Sequence, residues 1–445
     1  MRTTTSSRVR FAPPLRRGLS LLTTALAACL IAAPAQAAPP QTGVMCTSGV
    51  GTNPTFVLDA QEGYIQLPDS TTIYMWGYGK GGGAFQYPGP VLCVNQGDTV
   101  TVILNNTLPE PVSIMFPGQE NVLANGAPAQ PQGTGAALTS LTNAAATGGS
   151  VTYSFVAGEP GTYLYESGSN PQKQVRLGLF GALVVRPALG ADHVYNRPDS
   201  QFTADEEFMV LLSEIDPYLH WAAESGAPNY NLNNYQARYW LINGRGFPDS
   251  ISDNLSPFLP DQPYGALARI TPFDAALHPQ PGAIRYLNVG TEEFPYHPHG
   301  NNGLVIGRDG RALVGSGGQD LSMEKFAINI GPGQTWDVLF SWHDAEKYDG
   351  DPFLANGTTP NPNYNPVPVT IPQVNNQEFG IFYSGSPYLG KLGPLPPGAS
   401  TLNECGAYYI ISHNHALFQM SSWGVNATGP ITYVRVDPPL PNNCQ

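Results

Sequence analysis

Lysine and arginine are in short supply in this 445-residue chain: 20 of them stand against 33 aspartates and glutamates, a net charge of -13. Nucleic-acid phosphates reward basic surfaces, so DNA and RNA are not expected as partners. Charged residues of both signs make up only 12% of the chain, whereas 49 glycines and 44 prolines interrupt it, which argues for many turns and few helices. Long apolar runs are missing too. After residue 33 no stretch approaches the roughly 18 unbroken apolar residues of a membrane-crossing helix, so the processed chain is expected to have no transmembrane anchor. Gly-x-Ser-x-Gly and His-Glu-x-x-His do not occur, which removes the nucleophile elbow and the zinc-protease helix. Gly79-Lys80-Gly81-Gly82-Gly83 lacks the lysine-serine ending of a phosphate-cradling loop and reads as a flexible turn.

What is present begins with an export signal. Arg2, Arg8, Arg10, Arg16 and Arg17 precede an apolar run over 18–33 and an Ala35-Gln36-Ala37 cleavage pattern, so residues 1–37 are set aside from the fold and the protein is expected in the periplasm or outside the cell. Arg16-Arg17 loosely suits a twin-arginine signal, and Leu26-Ala27-Ala28-Cys29 is readable as a lipoprotein box. Plain cleavage after Ala37 is preferred because the apolar run continues past Cys29 through Leu30 and Ile31. Of five cysteines, Cys29 falls within this signal, leaving Cys46, Cys93, Cys405 and Cys444. An even number in an oxidising compartment reads first as two disulfides. Cys46 with Cys93 and Cys405 with Cys444 is the favoured pairing, since each then lies within one half of the chain.

Runs such as Thr99-Val100-Thr101-Val102-Ile103-Leu104, Val151-Thr152-Tyr153-Ser154-Phe155-Val156 and Phe208-Met209-Val210-Leu211-Leu212 are apolar or β-branched and bounded by Gly, Pro, Asn or Asp, as strands are. Their spacing fits antiparallel sandwiches, an all-β chain. The polar stretch over 192–204 separates two such series. Gly-, Asn- and Pro-rich segments over 125–149 and 344–374 are too poor in apolar residues to form a core and read as surface loops.

Pro88-Gly89-Pro90-Val91 followed by Asn95-Gln96-Gly97-Asp98, and Gly161-Thr162-Tyr163-Leu164-Tyr165 followed by Gly178-Leu179-Phe180-Gly181, resemble the start and end of the first domain of the multicopper oxidases. Leu241-Ile242-Asn243-Gly244-Arg245, Tyr296-His297-Pro298-His299-Gly300, Ile330-Gly331-Pro332-Gly333-Gln334 and the block Tyr408 to His415 with Met420 repeat the resemblance further on. It implies two cupredoxin-like Greek-key β-sandwich domains with long loop insertions: a first domain over 44–188, a linker over 189–206, and a second domain over 207–445 with a loop insertion over 344–375.

The same resemblance implies that a working oxidase needs about ten histidines and a cysteine for its coppers. This chain has eight histidines, and His193, His220, His278 and His343 lie outside every matching motif. Met115-Phe116-Pro117-Gly118 stands where the first domain should read His-Trp-His-Gly, and Tyr165-Glu166-Ser167-Gly168 where it should read Tyr-His-Ser-His. Phe294-Pro295-Tyr296-His297-Pro298-His299-Gly300 keeps two histidines of three. The last motif fits in two registers, one placing Ser412 and the other Ile410 at the copper-binding cysteine; both lack the thiolate.

His297 and His299 are two residues apart, as are His413 and His415, so on strands each pair faces one way and can meet one ion. Imidazole suits copper and zinc, and the thioether of Met420 leans toward copper. The metal candidates are therefore His297, His299, His413, His415 and Met420, with copper as cofactor in reduced number. Met115 and Phe116 are expected as core filler and Glu166 as a solvated carboxylate. Three functions stay open: an exported copper-binding protein with a reduced histidine site, a metal-free scaffold or interaction protein on the same frame, and an oxidoreductase with an unusual copper site using Cys405. No substrate, protein partner or electron donor is legible.

Overall fold

The runs Phe180 to Val185 and Phe208 to Leu212 lack in-out alternation, and the computed structural model gives the reason: both strands are buried on both faces. Such strands need no polar face. The structure describes residues 42–50, 53–227, 230–343, 357–360, 389–390, 392–393, 405–442 and 444. Residues 1–37 and, apart from 357–360, the insertion over 344–375 lie outside it.

The first half supplies strands β1 (Cys46–Ser48), β2 (Thr55–Gln66), β3 (Thr72–Lys80), β4 (Val91–Asn95), β5 (Thr99–Asn106), β6 (Leu123–Ala124), β7 (Ala127–Pro128), β8 (Ser150–Val156), β9 (Gly161–Glu166) and β10 (Phe180–Arg186). They form a sheet of order β3-β2-β5-β8-β6-β7 and a sheet of order β1-β4-β10-β9. The second half supplies β11 (Glu207–Ile215), β12 (Tyr239–Ile242), β13 (Ala268–Ile270), β14 (Gly282–Asn288), β15 (Phe294–Pro298), β16 (Gly303–Arg308), β17 (Arg311–Ala312), β18 (Met323–Lys325), β19 (Ile328–Ile330), β20 (Thr335–Phe340), β21 (Tyr408–Asn414), β22 (Ser421–Ser422), β23 (Val425–Asn426) and β24 (Ile431–Val436). These make a sheet of order β17-β16-β20-β14-β11-β12-β22-β23 and one of order β13-β24-β21-β15-β19. The parallel pairs β2/β5, β4/β10 and β11/β14 cannot be closed by hairpins, so the chain crosses between sheets. Among the described residues the helices are short, and the helix Pro217–Glu224 starts on Asp216, whose side chain accepts the Tyr218 N–H at 2.9 Å.

Each half is a cupredoxin-like β-sandwich. Phe56, Trp76, Val102 and Tyr153 meet Leu92, Tyr165 and Leu183 in the first core; Phe208, Ile284 and Val338 meet Phe294, Tyr296, Ile410 and Val434 in the second. A third cluster, joining Met75, Leu164 and Val184 to Met209, Leu211 and Leu241, lies between the sandwiches. The outer sheet of the second sandwich, carrying β15 and β21, therefore faces away from the first. The segment between the halves is packed rather than free, with Val194, Tyr195 and Phe202 buried against Ala283, Ile306 and Leu339.

A polar network crosses the same junction. Arg285 of β14, 1% exposed, donates from Nε to Glu207 at 2.6 Å and from Nη1 to Asp337 at 3.1 Å and to Thr162 of β9 at 2.9 Å. Arg186 donates to both oxygens of Glu207, to Oε1 at 2.5 Å and to Oε2 at 2.6 Å. Burial opposes ionisation of Glu207, but the Arg285 and Arg186 charges outweigh it and hold its carboxyl below the usual range.

The two disulfides join Cys46 to Cys93 and Cys405 to Cys444, as expected. The first bonds β1 to its parallel partner β4; the second fastens the segment before β21 to the chain beyond β24.

Glu214, near the end of β11, gives the fold a pH dependence. Its Oε1 accepts Thr291 N–H at 2.6 Å and Thr291 O–H at 2.7 Å, while Oε2 is buried without a hydrogen-bond partner among the described residues. Burial drives the carboxyl up against those two bonds, Glu292 adds to the rise, and the result is about 7. A carboxyl raised in the folded state binds its proton more tightly when folded, so the stability it contributes is full below its ordinary 4.5 and is lost as pH rises through about 7. The loss between pH 5 and 8 should reach about 3 kcal/mol. Glu214→Gln, which keeps the acceptor for Thr291, should remove most of it; denaturant melts with the same pH slope in both proteins would contradict this.

Candidate metal centre

Strand pairing builds the site. β15 and β21 run antiparallel with Tyr296 opposite Asn414, His297 opposite His413 and Pro298 opposite Ser412. The period of two along each strand then brings the second histidine of each pair to the same face. All four rings converge: His297 lies 4.5 Å from His299, 5.7 Å from His413 and 5.4 Å from His415, centroid to centroid. His299 and His413 are 5.1 Å apart, and His413 and His415 are stacked at 5.5 Å. His413 is buried, His297 and His299 are half-buried and His415 is exposed, so the cluster opens to solvent.

Hydrogen bonds determine which nitrogens are free. The backbone carbonyl of Phe326 accepts from His297 Nδ1 at 2.6 Å, and that of Asn414 accepts from His413 Nδ1 at 2.8 Å. A carbonyl only accepts, so Nδ1 of both rings carries a proton, and in the neutral form of either ring the lone pair is on Nε2. Carbonyl partners on the far nitrogen are how metal-binding imidazoles are usually oriented. Nε2 of His413 lies 3.1 Å from Nε2 of His299, near the roughly 3.3 Å that two nitrogens about 2.0 Å from one tetrahedral ion would show. The rings converge further than their nitrogens do: among the described residues no three of these imidazoles bring nitrogens all within 4.8 Å of one another. Rotation about χ2, a broad and soft torsion, is needed to gather them on one ion.

Burial, reinforced by the neighbouring His297, His413 and His415, holds His299 down at about 4. Burial also lowers His413, with His297 and His415 adding to the effect and the bond to Asn414 opposing it. Both rings are therefore neutral at pH 7, the state in which imidazole binds a metal.

Other residues singled out from the sequence fall elsewhere. Met420 ends the 3-10 turn Leu417–Met420, its carbonyl accepting the Thr428 and Gly429 N–H groups at 3.1 and 3.2 Å; no described contact ties its sulfur to the rings. Phe294, at the position of the third histidine, is fully buried in the second core. His193 bonds Asp192, His220 bonds the Tyr74 carbonyl, His278 faces Glu206 and Thr203, and His343 packs on Phe273.

Two expectations are corrected. Cys405 is not a copper thiolate, because its sulfur is bonded to Cys444. Asp437 comes within 4.8 Å of both sulfurs, but that carboxylate is taken by Arg269 and Arg435. Glu166 is not a solvated carboxylate, since burial pushes its acid up. The residue flanked by the rings of His413 and His415 is Asn414. Asn414 was missed although His413-Asn414-His415 was itself the signal, since a residue between two same-facing neighbours on a strand must point to the opposite side. Phe116 is core filler as expected, packed on Tyr153, Phe155 and Tyr165.

Residues 60–189 match the family model described as multicopper oxidase. An L-ascorbate oxidase of Cucumis sativus is 31% identical over 204 residues, 44% of this chain and 31% of that protein. A copper resistance protein A homolog of Pseudomonas syringae pv. tomato is 30% identical over 167 residues, 37% of this chain and 24% of the relative. The match thus spans a third or less of these relatives' own length. Among solved structures, the multicopper oxidase mgLAC superposes with a TM-score of 0.55 at 18% identity, covering 86% of both chains. A blue copper oxidase from Nitrosomonas europaea gives 0.54 at 17% identity, covering 86% of this chain and 85% of that one. At these identities the structural likeness shows the fold.

Proposed function

Because the chain is a multicopper-oxidase-like member of the cupredoxin family, we propose that it is an exported copper-binding protein whose metal sits in a reduced histidine site, His297, His299, His413 and His415, in place of a complete three-copper oxidase centre. The observation that carries this is the register of β15 on β21, which sets His297 against His413 and gathers four imidazoles at one face. Four nitrogen donors without a carboxylate suit copper or zinc, and the family favours copper. Bound copper supplies a Lewis acid and a one-electron centre; the chain's part is to present the Nε2 lone pairs, with Phe326 and Asn414 carbonyls holding the other nitrogens.

Several features support the reduced count. Met115 and Pro117 stand at one expected histidine pair and Glu166 and Gly168 at the other, while the four remaining histidines of the chain have partners elsewhere. Both disulfides suit an oxidising compartment, as the arginine-led apolar segment before Ala37 does. The two sandwiches are read as two domains, over 44–188 and 207–445.

Titration of the purified protein with Cu(II), followed by absorption and by dioxygen uptake with a reducing substrate, tests the proposal. Binding should saturate near one ion per chain, without the intense thiolate-to-copper band of a blue site and without dioxygen consumption above that of free copper. Catalytic dioxygen uptake would refute the reduced site; no saturable binding would refute the metal site itself.

A further inference from the structure

Behind the imidazoles lies a buried polar chain with no role in the core. Asn414 is fully buried on the face of β21 opposite His413 and His415. Its Nδ2 donates to Oε1 of Gln419, which is 2% exposed in the 3-10 turn after the strand. Gln419 Nε2 donates to Oε2 of Glu292 at 2.7 Å and to the Glu293 carbonyl at 3.2 Å. The same Glu292 oxygen accepts Trp240 Nε1–H at 2.9 Å, and the Glu292 carbonyl accepts Asn288 Nδ2 at 2.8 Å.

The direction of this chain is fixed from one end. A carboxylate only accepts, so Gln419 must offer its NH2 to Glu292, which turns its carbonyl to Asn414, which must in turn offer its own NH2. The bond to Gln419 is the tie described for the Asn414 side chain, whose Oδ1 has no partner among the described residues. The main-chain carbonyl of that same residue accepts from His413 Nδ1. Fastening the Asn414 side chain on one face of the strand thus aims its carbonyl at His413 on the other.

We infer that Asn414, Gln419 and Glu292 are positioning residues that lock His413 in its Nδ1–H form with Nε2 turned toward His299. The inference rests on the four-histidine reading for its purpose, though the lock itself exists without metal. In the metal-free protein His413 Nε2 accepts from His299 Nε2–H; an ion held by both nitrogens would replace that bond, with the His299 proton leaving Nε2 for Nδ1 or solvent.

Nitrogen NMR of histidine-labelled, metal-free protein at pH 7.5 tests it. Wild type should show His413 as a single Nδ1–H tautomer. Gln419→Met and Glu292→Leu, near in size but unable to complete the chain, should give a mixture of tautomers, and Glu292→Gln should restore the single form because its carbonyl can accept from both Trp240 and Gln419. Copper affinity should fall about tenfold or more in the first two and stay near wild type in the third. If Gln419→Met does not fold, the comparison of Glu292→Leu with Glu292→Gln stands in its place. An unchanged His413 tautomer in folded Gln419→Met or Glu292→Leu would overturn the inference. A wild type that retains no metal yet loses its tautomer lock in these variants would overturn the metal reading and leave the positioning chain intact.

Discussion

The double variant His297→Ala, His413→Ala is expected to lose copper binding by roughly 10⁴-fold. Four-ligand structural sites hold their ion with ~10–16 kcal/mol, so each ligand is worth about 3 kcal/mol, or roughly 10²-fold in affinity. The pair is chosen because the strands place these residues directly opposite each other, so removing both opens the site from each side. His193→Ala is the control: its ring bonds Asp192 at 2.9 Å, away from the cluster, and its loss should leave affinity within twofold. Competition titration against a chelator of known affinity measures all three proteins. Equal losses in the double variant and the control would remove the cluster as the binding site.

Arg285→Met should destabilise the fold by about 3–5 kcal/mol, the usual result of removing one partner from a buried ionic network. Glu207 keeps Arg186 after the change, but among the described residues Asp337, 1% exposed, keeps only the hydroxyls of Thr162 and Tyr195. A buried carboxylate without a cation is costly. Thr162 belongs to the first sandwich and Arg285 to the second, so part of the loss falls on their junction. Adding Asp337→Asn to Arg285→Met should recover part of the stability by removing the stranded charge. Denaturant unfolding decides it: a loss under 1 kcal/mol, or no recovery in the double variant, would mean that the network is not a main support of the junction.

Much of this was legible in local sequence. β5, β8 and β11 stood out as apolar or β-branched runs ended by turn residues, because strand propensity and turn chemistry act over a few residues. The pairs His297/His299 and His413/His415 were readable as same-facing for the same reason. Their meeting could be expected only through the family resemblance and not from local pattern, since the register of β15 on β21 spans more than a hundred residues and is set by packing of Phe294, Tyr296 and Ile410 in the second core. Glu166 looked like a loop carboxylate, and nothing in the sequence around Arg285 marks it as buried; the burial that gives each its character comes from the neighbouring sandwich or sheet and has no local signature. Cys405 carried two readings until its partner was seen, which spacing alone could not separate.

Copper and zinc content per chain, measured by elemental mass spectrometry after reconstitution with Cu(I), Cu(II) or Zn(II) and long dialysis, is the most direct test of the four-histidine site. About one retained copper per chain, lost when His297 and His299 are both replaced by alanine, is the expected result. No retained metal, or the same copper content in wild type and in that double variant, would contradict it.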